Sequence, residues 1–302
     1  MLKQRVLGAI VGLIVLIGLL TLNTFLSTSG INNDSLALLF IVIIMAGRSA
    51  YEASRVLKNR YPGAGKLNGV YAALIIPFIV HAVRPWMSPY ADQPVMGNIG
   101  LFIDTIGAAG CLMALFLDAW SDIEKRGKDG LKENLIIIPI GFYIGIAVSS
   151  LLLLGTSQQY ISVIIYIFIM VFVFDTSCYF VGTAIKGKKL CPKISPNKTW
   201  AGTIGGIFFT TLASLLFYIV PSSGDFLALN TIITKPLYFI LTGLVIAIAA
   251  QCGDLLESSY KRWGEVKDAG KLIPGHGGFL DRFDSLFLAA PVFYILFMFI
   301  IR

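Results

Sequence analysis

Phosphate chemistry needs carboxylates, cations and close backbone amides, and the stretch Gln251–Ser285, QCGDLLESSYKRWGEVKDAGKLIPGHGGFLDRFDS, concentrates all three. Asp254, Glu257, Asp268, Asp281 and Asp284 bring the carboxylates, and Lys261, Arg262, Lys267, Lys271 and Arg282 the cations. Pro274-Gly275-His276-Gly277-Gly278 forms a turn whose N–H groups can approach an anion closely, since glycine has no Cβ to hold it away. Asp254 and Glu257 are spaced i, i+3 and share a helical face, as do Asp281 and Asp284, and Glu257 can pair with Lys261 at i+4. Acids at two helix ends can converge on one or two Mg²⁺ ions, which take a few carboxylates plus phosphate oxygens and water. The competing reading is a structural lattice of salt bridges. Together with the glycine-rich turn, the acids favour metal-assisted phosphoryl or nucleotidyl transfer.

A second polar segment, DTSCYFVGTAIKGKKLCPKISPNKTWAGTIGG over residues 175–206, adds to this inventory. Asp175 follows an apolar run, and an ionisable residue at membrane depth is a functional candidate, although pairing with a lysine or hydroxyls would also hold it there. Ser195, Lys198 and Thr199 lie in a basic, hydroxyl-bearing loop that can bind phosphate or serve as a topology signal. Thr199 or a neighbour can cap the next helix, and Gly202, Gly205 and Gly206 then allow close helix approach. His276 reads as a general base or as an anchor of its turn. With only 2 histidines a multi-His metal site is excluded; His81 falls in an outward loop or helix end and receives no role. The 4 cysteines lack C-x-x-C spacing and read as small apolar fillers.

The elements that must position these residues are membrane helices. Of 302 residues 56% are hydrophobic and 14% charged, and mean hydropathy is +0.80, far from a soluble balance. Nine apolar runs, at 6–27, 35–50, 68–83, 98–119, 134–154, 160–184, 201–220, 236–253 and 285–301, approach the length that crosses about 30 Å of hydrocarbon. Strand-like alternation is absent, so the spans read as helices. With the N-terminus cytoplasmic and every run crossing, 21 of the 24 Lys and Arg residues fall on the cytoplasmic side, leaving Arg84, Lys235 and Arg302.

The expected architecture is an all-α polytopic membrane protein of about nine transmembrane helices, N-terminus cytoplasmic and C-terminus outside. It forms a single membrane domain, 1–302, with N-terminal helices over 1–154 and catalytic helices and loops over 155–302. The net charge of +7 is explained by basic loops against anionic lipid, without nucleic acid. Lys3 and Arg5 before an apolar run resemble a signal peptide, but the run is long and no A-x-A site follows. The loop at 48–66 reads chiefly as a topology determinant without a catalytic role, an interfacial amphipathic helix ended by Pro62-Gly63 being the alternative, and 121–133 reads as a solvated connector.

The pattern Ser258-x2-Lys261-Arg262-x4-Lys267-Asp268-x5-Pro274-Gly275-His276-Gly277-Gly278-x2-Asp281-Arg282-x-Asp284 resembles the signature of the phosphatidate cytidylyltransferases. Gly253-Asp254 and the SPNKTWAG segment are similar to the same family, whereas the N-terminal third matches only in hydropathy. Ala201 stands where the family usually has glutamate, and Cys178 where alanine is common. The resemblance implies that CTP and phosphatidic acid give CDP-diacylglycerol and pyrophosphate. The reaction would be Mg²⁺-dependent with a K⁺ ion beside the metal, in a homodimer at the plasma membrane with its active site on the cytoplasmic face. It further implies Asp254 and Asp281, with Asp284 adjacent, as metal ligands.

In that reaction a phosphatidate oxygen attacks the α-phosphorus of CTP. This nucleophile is already largely ionised at neutral pH, so a strong protein base is unnecessary and His276 fits better as phosphate ligand or turn anchor. Lys261, Arg262 and Lys267, with Asp268 beside them, are expected at the triphosphate. Lys198 and Ser195 are expected at the lipid phosphate, and Asp175, Thr199, Gly275, Gly277, Gly278 and Arg282 elsewhere around the substrates. A lipid-head-group transferase of the CDP-alcohol class would need a D-G-x2-A-R…G-x3-D-x3-D pattern, which the chain lacks. A transporter using Asp175 and Asp254 as intramembrane charges would reveal itself by flux in liposomes without nucleotide turnover. An isoprenoid lipid phosphate as acceptor is also open.

Overall fold

The computed structural model describes residues 36–61, 67–87, 98–154, 160–219, 229, 233–270 and 277–300. In chain order these form α1 (Leu36–Val56), a 3-10 turn (Leu57–Asn59), α2 (Asn68–Met87), α3 (Asn98–Arg126), α4 (Lys128–Leu154) and α5 (Tyr160–Ile185). A short hairpin, β1 (Lys189–Cys191) and β2 (Ser195–Thr199), precedes α6 (Trp200–Ile219), α7 (Pro236–Trp263) and α8 (Leu280–Ile300). The apolar run at 6–27 lies outside the described residues; each of the other runs is a helix. Among the described residues, 6 helices are long and apolar enough to cross a membrane: α3 from Asp104, α4, α5 from Ser162, α6, α7 and α8. The chain is therefore a helical polytopic membrane protein.

The chain divides into two compact units, Met1–Thr156 with Trp263–Arg282, and Ser157–Arg262 with Phe283–Arg302. In the first, α2 packs against α1, α3 and α4. Gly141 and Gly145 of α4 lie so near the backbone of Gly69 and Ala73 that a Cβ at either would collide with α2. Asn68 Nδ2 donates to Asn134 Oδ1 at 2.6 Å, a buried amide pair between the same helices.

Two sequence expectations change here. The segment 121–133 is not a solvated connector but helix on both sides of Gly127, whose φ of 54° reverses the chain between α3 and α4. Arg126 lies against two buried acids, Glu133 at 2.5 Å and Asp122 at 3.5 Å. His81 lies inside α2, not in a loop or at a helix end, and is buried with its Nδ1 2.7 Å from Oδ2 of the buried Asp104. Isolated ionisable groups are costly in an apolar layer, and these two occur as a pair.

In the second unit α5 and α6 cross closely because their contact line is made of small residues. A Cβ on Gly202 would stand 2.7 Å from the Cys178 carbonyl and 3.1 Å from Gly182 Cα, and one on Gly205 would strike Val181. The glycines singled out in the sequence are thus where the helices meet. Deeper in the unit, the buried Tyr166 hydroxyl bonds Ser214 at 2.6 Å and Thr242 at 2.7 Å, tying α5, α6 and α7 by hydroxyls.

Candidate active site

The acids of the second unit gather where α5, α7 and α8 carry polar residues among apolar ones. Asp175 projects from α5 and accepts a hydrogen bond from Ser285 Oγ of α8 at 3.2 Å. On α7, which continues helically ten residues beyond its apolar run, Asp254 accepts from Ser258 Oγ one turn later at 3.2 Å. Asp254, Glu257 and Asp175 all lie near enough to Asp284 to act on it electrostatically. The backbones of α7 and α8 meet here: a Cβ on Gly253 would stand 2.6 Å from the Asp284 carbonyl. Gly253 thus lets one acid-bearing helix lie directly against the other.

A lysine enters this cluster from the hairpin. The basic loop read from the sequence is an antiparallel pair, with Lys189 opposite Thr199 and Cys191 opposite Ser195. Helix α5 ends through Lys186 and Gly187, at φ 60° and 91°, both in the left-handed region. The hairpin sets Lys198 Nζ 2.5 Å from Asp254 Oδ2. Thr199 Oγ1 accepts the Gly202 N–H at 3.1 Å and so caps α6, as its position before the helix predicted. Arg262 Nε donates to the Ile194 carbonyl at 3.1 Å, which fixes the hairpin turn to the end of α7. Lys261 pairs with the buried Glu257 at 2.5 Å, the i, i+4 pair expected. Asp175 is exposed, and Asp254, Asp284 and Lys198 are partly so.

The remaining motif residues belong to the first unit. The Asp281 carboxylate accepts the Ala269 N–H at 2.9 Å and the Gly278 N–H at 2.7 Å. Gly277 has φ 80°, and a Cβ there would stand 2.7 Å from Asp281 Oδ2, so only glycine fits. Lys267, Asp268 and Arg282 are exposed. Gly275 and His276, with Pro274 and Lys271, lie outside the described residues.

Several residues here carried no assignment from sequence. Ser285 and Ser258 orient Asp175 and Asp254. Gln251, one turn before Asp254, accepts from Thr203 Oγ1 at 3.0 Å. Glu52 of α1, treated as part of a topology loop, is buried and accepts the Leu280 N–H at 2.9 Å. Only the i, i+4 spacing of Arg48 and Glu52 hinted at an ordered carboxylate.

In the second unit the carboxylates of Asp175, Asp254, Glu257 and Asp284 outnumber the ammonium groups of Lys198 and Lys261. Among the described residues no set of three or more His, Cys, Asp or Glu side chains is gathered tightly enough to enclose an ion. Lys198 stands at Asp254 as its counter-charge.

Comparison with known proteins gives the family of these membrane helices. The cytidylyltransferase family profile matches residues 3–300, and the chain belongs to that family. The phosphatidate cytidylyltransferase of Rickettsia bellii (strain RML369-C) is 37% identical over 255 residues, covering 84% of this chain and 98% of the relative. That of Rickettsia prowazekii (strain Madrid E) is 35% identical over 211 residues, 66% of this chain and 89% of the relative. That of Bacillus subtilis (strain 168) is 36% identical over 173 residues, 55% of this chain and 61% of the relative.

Proposed function

We propose that this chain is a membrane-embedded nucleotidyltransferase that converts CTP and phosphatidic acid to CDP-diacylglycerol and pyrophosphate in phospholipid synthesis. The observation that carries the reading is the convergence of Asp175, Asp254 and Asp284 with Lys198 in a family whose relatives are phosphatidate cytidylyltransferases. In the reaction a phosphatidate oxygen forms a bond to the α-phosphorus of CTP, and the α–β bridging bond breaks. Pyrophosphate leaves with the electron pair. No proton need be removed first, because a phosphate monoester with a second pKa near about 6 is already largely ionised at neutral pH.

The chain's own task is to bring two polyanions together and hold them in line. Lys198 supplies a cation that can exchange the Asp254 carboxylate for a substrate phosphate. Lys261, Arg262 and Lys267 extend the positive charge along the end of α7 and the loop after it. Ser195 and Arg282, with the backbone of Gly277 and Gly278, complete the proposed phosphate site, the Gly278 N–H itself being given to Asp281, and His276 and Gly275 belong with them. Thr199 acts by capping α6, which fixes the hairpin that carries Lys198.

Asp254, Asp284 and Asp281 are the proposed carboxylates for Mg²⁺, Asp254 and Asp281 by their match to the family motif and Asp284 as their neighbour in sequence. When bound, such an ion neutralises phosphate charge and stabilises the charge that develops at the leaving group. A K⁺ ion, a homodimer and a plasma-membrane location with the site facing the cytoplasm belong to the same proposal.

The test is pyrophosphate release by the full chain in detergent with CTP and phosphatidate, with and without Mg²⁺. Turnover that needs all three is expected. Turnover only with a different lipid phosphate would change the acceptor, and solute flux without nucleotide consumption would overturn the reading.

A further inference from the structure

The first unit contains a carboxylate that the proposed chemistry leaves unused. Glu52 lies in α1, buried to 2% exposure, more than two hundred residues before the glycine-rich motif. Its Oε2 accepts the Leu280 N–H at 2.9 Å, the first amide of α8, where a helix end favours negative charge. Its Oε1 lies 2.9 Å from Arg48 Nη2.

The backbone on either side of the motif presses against this carboxylate. A Cβ on Gly270 would stand 2.8 Å from Glu52 Cδ and Oε1, and one on Gly278 would stand 2.9 Å from Glu52 Cδ. The two glycines also touch each other: a Cβ on Gly278 would come within 2.7 Å of the Gly270 nitrogen. Gly270 and Gly278 therefore form a neck, with Glu52 on one side and Asp281 bridging the Ala269 and Gly278 amides.

We propose that Glu52 is a positioning residue for this reaction: its carboxylate holds the neck formed by Gly270 and Gly278 and thereby sets the backbone of Gly277–Leu280. The inference rests on the assignment of that backbone to phosphate binding. Glycine at 270 and 278 is required by the carboxylate they enclose. The neck and Glu52 act as one piece, and the geometry of the motif depends on a residue of α1.

The test uses the full chain in detergent, with hydrogen exchange at the Leu280 amide read beside CTP- and phosphatidate-dependent pyrophosphate release. Glu52→Ala is expected to raise Leu280 exchange and to lower kcat/KM, each by about tenfold or more, since a buried donor loses a charged acceptor. Glu52→Gln, which keeps an oxygen acceptor, is expected to restore both to within about threefold of the parent. Unchanged exchange in Glu52→Ala, or Glu52→Gln as damaged as Glu52→Ala, overturns the positioning role. An inactive parent overturns the proposed reaction instead, and the exchange measurement still decides the role of Glu52. Should Glu52→Ala fail to fold, Gly270→Ala carries the test: it is expected to raise Leu280 exchange by displacing Glu52, and unchanged exchange overturns the proposal.

Discussion

Asp254 and Asp284 differ from the other carboxylates of the second unit in what surrounds them. Asp254 faces a lysine and a serine, whereas Asp284 faces three further acids. Asp284→Asn removes a charge from an already crowded set, and Asp254→Asn also strands Lys198. Both substitutions are expected to lower pyrophosphate release by about 100-fold or more while leaving helical content unchanged, measured by initial rates and circular dichroism. Full activity in either variant would remove that residue from the proposed metal site. Lys198→Ala is expected to raise the KM for one substrate by about tenfold, with Lys198→Arg recovering part of it. Which substrate's KM moves identifies the phosphate that Lys198 meets.

The acid and base types of this site were legible in the sequence because i, i+3 and i+4 spacings map directly onto one helical face; Glu257 with Lys261 is the plain case. The partners contributed from elsewhere in the chain were not legible. Lys198 reaches Asp254 through a hairpin whose short strands carry little alternation, and Ser285 reaches Asp175 across 110 residues. His81 was misplaced for a related reason: one histidine in an apolar run gives no sign of the aspartate that accompanies it on α3.

At the scale of elements, the second unit depends on helices that approach too closely for ordinary side chains. Gly202→Leu would drive a side chain into the Cys178 carbonyl and Gly182, and is expected to destabilise by about 1–3 kcal/mol, seen as a lower Tm in detergent. Tyr166→Phe removes the hydroxyl shared by Ser214 and Thr242 and is expected to cost about 1 kcal/mol by the same measurement, with kcat/KM nearly unchanged. The apolar runs forecast these helices well, since each must satisfy its own backbone within hydrocarbon. The polar extension of α3 through Arg126 escaped notice because hydropathy falls while helical hydrogen bonding continues, whereas that of α7 beyond Asp254 was legible from its i, i+3 and i+4 spacings.

For the whole molecule, the charge asymmetry predicts which side each loop occupies. Single cysteines placed at Lys193 and Lys267 in a chain otherwise free of cysteine are expected to resist a membrane-impermeant thiol reagent in intact cells and to react in inverted vesicles. A cysteine at Lys235 is expected to behave in the opposite way. The same pattern at all three positions would overturn the proposed orientation.

The hydrogen bond from Leu280 to Glu52 spans 228 residues and has a consequence for biosynthesis. When a ribosome has delivered α1 to the membrane, the carboxylate of Glu52 still awaits an amide that is translated 228 residues later. Until then Arg48 is the neighbour that α1 itself provides. Nascent chains stalled before residue 263 should therefore be more sensitive to membrane quality-control proteases than chains stalled after Arg282 has cleared the translocon. The same release points in Glu52→Gln should differ less, because the uncharged side chain is a milder liability while it waits.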